Sequence, residues 1–246
     1  MTCRLLAVSF DSAGPLRLAR FWGDLLGWKL AADPHDGAAL VPGDGAGFGF
    51  QFLPAQEQKS GQNERHFHLT STSAEDQQHT VAKAIGLGAR HIDIGQRPEE
   101  GHIVLADPEG NEFCVIEPGN KYLAGCGFMA EITCAGSREA GFFWGEALEW
   151  PLVWDQGLQT AIQSPQGGQK VSWDGERMPP AWQNRLRFVL APPGDGDQQA
   201  EAGRLVALGA TRLGYSQADA SVIVMADPDG REFYLLTAQA RYGQMR

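Results

Sequence analysis

Cysteine and positive charge are both scarce in this chain, and long apolar runs are missing altogether. The four cysteines, Cys3, Cys114, Cys126 and Cys134, include no Cys-x-x-Cys pair. That excludes a dithiol or zinc-ribbon motif and predicts reduced thiols in a cytoplasmic protein. Lys and Arg number 20 against 30 Asp and Glu, with no basic cluster among them. Such a surface repels phosphate backbones, so nucleic acid is excluded as an expected partner. No apolar stretch approaches the ~20 residues of a membrane span. The amino terminus also lacks a basic region followed by an apolar run, so neither a membrane nor an export signal is expected.

What is present is a repeat. Ala106-Asp107-Pro108-Glu109-Gly110-Asn111-Glu112-Phe113 returns as Ala226-Asp227-Pro228-Asp229-Gly230-Arg231-Glu232-Phe233. Phe21-Trp22-Gly23-Asp24 with Leu26 and Trp28 returns as Phe143-Trp144-Gly145-Glu146 with Leu148 and Trp150, and Leu87-Gly88-Ala89 as Leu208-Gly209-Ala210. Three blocks in one order at a near-constant offset mean one unit written twice. The halves are expected at residues 1–119 and 125–240, each large enough for its own core. The large aromatics Trp22, Trp28, Trp144 and Trp150 recur at equivalent helix ends, which reads as core.

Each half repeats once more inside itself. A strand at Leu5–Phe10 precedes a helix opened by Pro15, with Leu18, Phe21, Trp22 and Leu25 at helical spacing and Gly27 as its stop. Three short strands follow. The same order runs through His66–Thr70, the helix Ala74–Leu87 and strands ending at Glu112–Ile116, with Asp107-Pro108-Glu109-Gly110 as a tight turn. The chain is therefore α+β, with four βαβββ modules paired into two tandem domains. Each domain is expected to be a curved, mostly antiparallel sheet forming a cup with helices outside. Period-2 alternation puts Phe48, Phe50, Phe52, Phe67, Leu69, Phe113 and Val115 on the helix side. It turns Gln51, His66, His68, Glu112 and Cys114 into the first cup, modules one and two being set side by side. The second cup receives Glu131, Trp173, Arg187, Glu232 and Tyr234.

The module order, the Phe-Trp ending the first helix and the Asp-Pro-Glu-Gly-Asn-Glu-Phe run together resemble the vicinal oxygen chelate superfamily. That group spans glyoxalases, extradiol dioxygenases and bleomycin- and fosfomycin-resistance proteins. The resemblance covers almost the whole chain, twice, and implies a fold more sharply than a function. Metal-dependent members hold one divalent ion with ligands from the first and last strands of each module. Carried over, those positions give Ala7 or Ser9, then Gln51, then His66 with His68 on the same face, and Cys114 with Glu112 two residues earlier. His66 and Glu112 are the metal candidates, completed by His68 or Cys114, and Zn, Fe, Mn or Ni would suit them. His68 is the candidate acid or base. The plainer reading is a polar pocket that needs no cofactor.

In the second copy Arg187 replaces His66, Val189 replaces His68 and Tyr234 replaces Cys114, so no metal is expected there. An Arg187–Glu ion pair closing a filled cavity is one account of that cup. The other is a site for a flat or anionic molecule stacked on Trp173 and paired with Arg187. Trp182, in a connector of Pro and polar residues, is a candidate lid. Glu112 and Glu232 follow the repeated turn and are equally readable as structural supports. The leading expectation is a glyoxalase-like protein binding a small organic molecule in a cup, of the resistance or sequestration type without metal. The alternatives are a metal-dependent lyase, isomerase or extradiol-type dioxygenase with its site in the first cup, and a scaffold with filled cups. Four modules complete two cups within one chain, so a monomer or weak homodimer is expected.

Overall fold

The computed structural model describes residues 2–32, 37–43, 47–56, 59, 61–97, 99–175 and 185–238; the segment around Trp182 lies outside them. Module one contains β1 (Arg4–Ser12), α1 (Pro15–Leu26), β2 (Lys29–Ala32), β3 (Ala38–Val41) and β4 (Gly49–Pro54). Module two contains β5 (Arg65–Leu69), α2 (Ala74–Gly86), β6 (Arg90–His91), β7 (Ile103–Ala106) and β8 (Glu112–Val115). Module three runs through β9 (Met129–Cys134), α3 (Arg138–Leu148), β10 (Leu152–Gln156), β11 (Gln159–Gln163) and β12 (Lys170–Trp173). Module four runs through β13 (Leu186–Ala191), α4 (Gln198–Ala207), β14 (Thr211–Tyr215), β15 (Ile223–Ala226) and β16 (Glu232–Leu235). The fourfold βαβββ order stands as read from the sequence.

The pairing of the modules does not. One sheet has the order β14-β15-β16-β13-β1-β4-β3-β2 and the other β10-β11-β12-β9-β5-β8-β7-β6. Module one thus shares a sheet with module four, and module two with module three. The joints are antiparallel: β1 meets β13 with Ser9 opposite Arg187, and β5 meets β9 with His68 opposite Glu131. The expectation that modules one and two face a common cup is corrected. Alternation fixes which face a residue occupies, but not which strand lies beside it.

The sequence halves are held together elsewhere, on the helix side. The helix-covered faces of both sheets merge into one apolar core that includes Phe48, Phe50, Phe52, Phe67, Leu69, Phe113 and Val115, on the side expected. Helix α1 packs on β3 and β4, yet its Trp22 ring lies 5.5 Å from Phe67 and 5.1 Å from Phe113 of the other sheet. Helix α3 packs on β11 and β12, and its Trp144 lies 4.9 Å from Phe188 and 5.0 Å from Phe233. Aromatic pairs of this kind contribute about 0.5–1.5 kcal/mol each beyond the area they bury.

The repeated Asp-Pro-x-Gly turn supplies the polar half of the same joint. Trp22 donates its indole N–H to Asp107 Oδ2 at 3.1 Å, and Trp144 does the same to Asp227 at 3.1 Å. Helix α1 has no side-chain cap of its own; Glu109 from the turn accepts from Ser12 Oγ and from the backbone N–H of Ala13 and Gly14. Asp229 accepts from the N–H and hydroxyl of Ser137, the N-cap of α3. A carboxylate placed there satisfies orphan donors and opposes the positive end of the helix dipole.

Candidate functional site

Four strands at the middle of the second sheet turn polar side chains into its concave face. On β5, His66 and His68 alternate with the core residues Phe67 and Leu69. On β9, Glu131 and Thr133 alternate with Ile132 and Cys134, and on β8 Cys114 lies between Phe113 and Val115. Register then brings them together: His68 lies opposite Glu131 on one side and Cys114 on the other, while His66 lies opposite Thr133. Lys170 and Ser172 of β12 sit opposite Glu131 and Thr133.

The cluster forms a relay. His68 Nδ1 lies 2.7 Å from Glu131 Oε2, and His68 Nε2 lies 3.2 Å from His66 Nε2. The other Glu131 oxygen accepts from the Tyr122 hydroxyl at 2.8 Å. Burial opposes a charge on His68, but hydrogen bonds to Cys114 and Glu131 and the Glu131 charge outweigh it, pushing His68 up to about 10. For His66, burial first and then the neighbouring His68 act together, driving it down to about 3. Burial also works against ionised Glu131; the hydrogen bond and charge of His68 prevail and hold its carboxyl below the ordinary range. One imidazole is therefore a cation paired with a carboxylate, and the other is neutral.

Donor atoms of His66, His68 and Cys114 all lie within 4.8 Å of one another. Tetrahedral zinc, with N and S donors at ~2.0–2.3 Å, needs ligand atoms separated by roughly 3.3–3.7 Å. The 3.2 Å between the two Nε2 atoms is close to that bite. The chemistry of the set, two imidazoles and a thiol, suits zinc. Glu112, expected as a ligand, is not in this group. Its carboxylate is taken by Lys59 Nζ at 2.5 Å and the Asn63 N–H at 3.1 Å, tying the connector between modules one and two to β8.

Beside the cluster opens a cavity of about 360 Å³ whose lining includes His68, Glu131, Thr133, Ile116, Tyr122 and Trp154. Ile116, Leu123, Tyr122, Trp154 and Trp173 give the cavity an apolar wall, and ten polar or charged residues, His102, Glu117 and Asp174 among them, complete the lining. Tyr122 and Trp154 meet edge to face at 5.5 Å, and Lys170 Nζ sits 4.1 Å from the Tyr122 ring centroid. Tyr122 comes from the stretch joining the repeat copies, where periodicity carries no signal. Lys170 and Ser172 were within reach of alternation had β12 been set one residue differently.

That one-residue slip also shifts Trp173. Expected in the cup with Arg187, it lies opposite Cys134 and packs in the core against α3 near Gly141, while part of it still lines the 360 Å³ cavity beside the histidines. Ser172 holds the cup-facing place, the counterpart of Gln51 in the other sheet. Glu131, expected to share a cup with Arg187, instead joins the histidines.

The first sheet's cup collects Gln51, Arg187, Glu232 and Tyr234. Arg187 Nη1 pairs with Asp11 at 2.7 Å and Nε with Glu232 at 3.1 Å, with the guanidinium 5.5 Å from the Tyr234 ring centroid. The same face holds an apolar cluster of Leu6, Ala7, Val189, Ala191, Val222 and Leu236. Among the described residues, the His66–His68–Cys114 group is the one cluster of possible metal ligands.

The sequence model of the glyoxalase-like domain matches twice, at residues 7–116 and 129–236. The chain belongs to the glyoxalase-like domain family. Among curated proteins no relative matches the sequence. Glyoxalase I from Zea mays superposes with a TM-score of 0.69 at 14% identity, over 96% of this chain and 93% of that one. A putative dioxygenase from Bacillus subtilis gives 0.63 at 13% identity, over 98% and 86%. At such identities the likeness is one of fold. The family membership and the tandem α+β cup architecture agree with the resemblance drawn from the sequence. Among the described residues no helix is long and apolar enough to cross a membrane.

Proposed function

We propose that the cup of the second sheet binds a small organic molecule beside a divalent metal, zinc being the best match to the donors. The observation that carries this is the convergence of His66, His68 and Cys114 next to the 360 Å³ cavity that His68 also lines. His66 and His68 turn their Nε2 atoms toward each other at 3.2 Å, so a metal would take the place of the proton shared between them. Glu131 engages His68 through Nδ1, leaving Nε2 as the nitrogen turned toward His66. When bound, the metal would supply a Lewis acid for polarising a ligand oxygen. Ile116 and Trp154 would hold the apolar part of the ligand, and the hydroxyls of Thr133 and Ser172 could meet its polar groups. A lyase, isomerase or dioxygenase acting on adjacent oxygens is the activity class consistent with such a site.

A second reading has its own support. The Tyr122–Glu131–His68–His66 relay closes on itself, and none of its atoms is among the buried unpartnered polar atoms of the described residues. A cup satisfied in this way fits binding and sequestration without metal. Elemental analysis after incubation with Zn, Fe, Mn and Ni in turn separates the two. About one ion per chain, lost in His66→Ala with far-UV dichroism intact, supports the metal site. No ion under any condition removes it and leaves the metal-free reading, to be pursued by thermal-shift screening of small aromatic compounds.

A further inference from the structure

The stretch between the two family-domain matches, residues 117–128, belongs to neither copy, yet it reaches into the site. Its Leu123 and Cys126 pack with Cys114, Ile116 and Val104 on the cup side, and Asn120, Tyr122 and Leu123 line the cavity. Tyr122 is held from several directions. Lys170 donates to its carbonyl and lies over its ring, Trp154 meets the ring edge-on, and Asn120 Oδ1 accepts from the Leu123 N–H at 3.2 Å. A hydroxyl fixed so firmly defines the position of whatever it bonds.

What it bonds is Glu131. That carboxylate is buried, 2% exposed, with one oxygen on Tyr122 and the other on His68 Nδ1. Once a metal displaces the Nε2 proton, an imidazole whose Nδ1–H is held by a carboxylate has its tautomer and ring plane set, which leaves Nε2 as the metal-binding nitrogen. Partners of this kind tune metal affinity, and their loss costs 10–100-fold. Glu131 lies across the ring from the Nε2 pair, so it acts on the site through His68.

We propose that Tyr122, carried by the connector between the repeat copies, is a positioning residue that orients the metal-binding face of His68 through Glu131. The inference rests on the metal reading of the cup. It makes the connector part of the site, although the family domain ends before it.

The test uses the full chain and cobalt(II) as the probe, followed by competition with zinc. The wild type should show a thiolate-to-cobalt charge-transfer band. Tyr122→Phe keeps the ring and removes the hydroxyl. It should weaken zinc affinity by roughly 10-fold, the lower end of the range because Ser172 also bonds Glu131. The cobalt band should persist, and the metal-free variant should keep wild-type far-UV dichroism and a cooperative melt. Glu131→Gln breaks the same link from its other end and should weaken affinity at least as much, which keeps the test decisive if Tyr122→Phe folds poorly. Unchanged zinc affinity in both variants overturns the positioning role and leaves the metal site standing. No cobalt band and no zinc binding in the wild type overturns the metal reading itself.

Discussion

Replacing Asp107 by Asn should destabilise the protein by about 2 kcal/mol, and the loss should depend on Trp22. Asp107 is fully buried and its two oxygens have separate duties. Oδ1 accepts the backbone N–H of Glu109 and Asn111, both at 2.9 Å. Oδ2 accepts the Trp22 indole at 3.1 Å and the Asn111 side-chain amide at 2.8 Å. An asparagine can keep the first pair through its carbonyl, but it turns an amide donor toward two donors. Each buried donor left without an acceptor costs about 1–3 kcal/mol, and the neutral residue recovers part by avoiding the cost of a buried charge. Burial pushes the Asp107 carboxyl up, so that recovery is real but incomplete. Trp22→Phe removes one of the two frustrated donors. In a double-mutant cycle followed by urea unfolding, the pair should show a coupling of about 1 kcal/mol. Additivity within ~0.3 kcal/mol would refute the claim that the Asp-Pro-x-Gly turn holds the helix through Trp22.

Other outcomes follow from neighbouring contacts. Glu109→Ala removes the carboxylate that accepts from the Ala13 and Gly14 N–H groups at the α1 N-terminus, leaving Ser12 Oγ as an acceptor for Gly14, and should cost about 1 kcal/mol in urea unfolding. Glu149 ends α3 at φ 53°, where the first copy has Gly27 at φ 71°. Glu149→Gly should therefore raise stability by about 0.5–1 kcal/mol, seen as a higher melting temperature, and a fall would contradict the strain assigned to it. Zinc at a hundredfold excess over its dissociation constant should stabilise the wild type by about 2.7 kcal/mol. A chelator should reverse that gain, and His66→Ala should abolish it.

Much of the fold was legible because it is written locally. Helical spacing of Leu18, Phe21, Trp22 and Leu25, Gly27 after them, and the Phe48/Phe50/Phe52 alternation each act within a few residues. The partnership of His68 with Glu131 is not local: it depends on β5 pairing with β9 across the midpoint of the repeat, which nothing in either strand's pattern specifies. Hence the sequence placed Glu131 with Arg187 and Glu112 with His66, whereas the structure sets Glu131 beside His68 and ties Glu112 to Lys59 and Asn63. Trp173 lines the other sheet's cavity but packs mainly in the core, for a different reason. A strand four residues long, bounded by turns, leaves its phase open by one position, and burial of the large ring decided it. Tyr122 had no periodic context at all.

The interleaved sheets also impose an order on biosynthesis. Modules two and three are adjacent in the chain, so the second sheet can close once β12 has left the ribosome. The first sheet cannot, because Ala7 on β1 waits for Val189 on β13. Until the last module emerges, one side of β1 is an open, apolar strand edge, the kind that pairs with other chains. A nascent chain stalled after module three would thus carry a finished site and an unfinished edge. Truncations near the carboxyl terminus should accordingly appear as aggregation before they appear as loss of the histidine cluster.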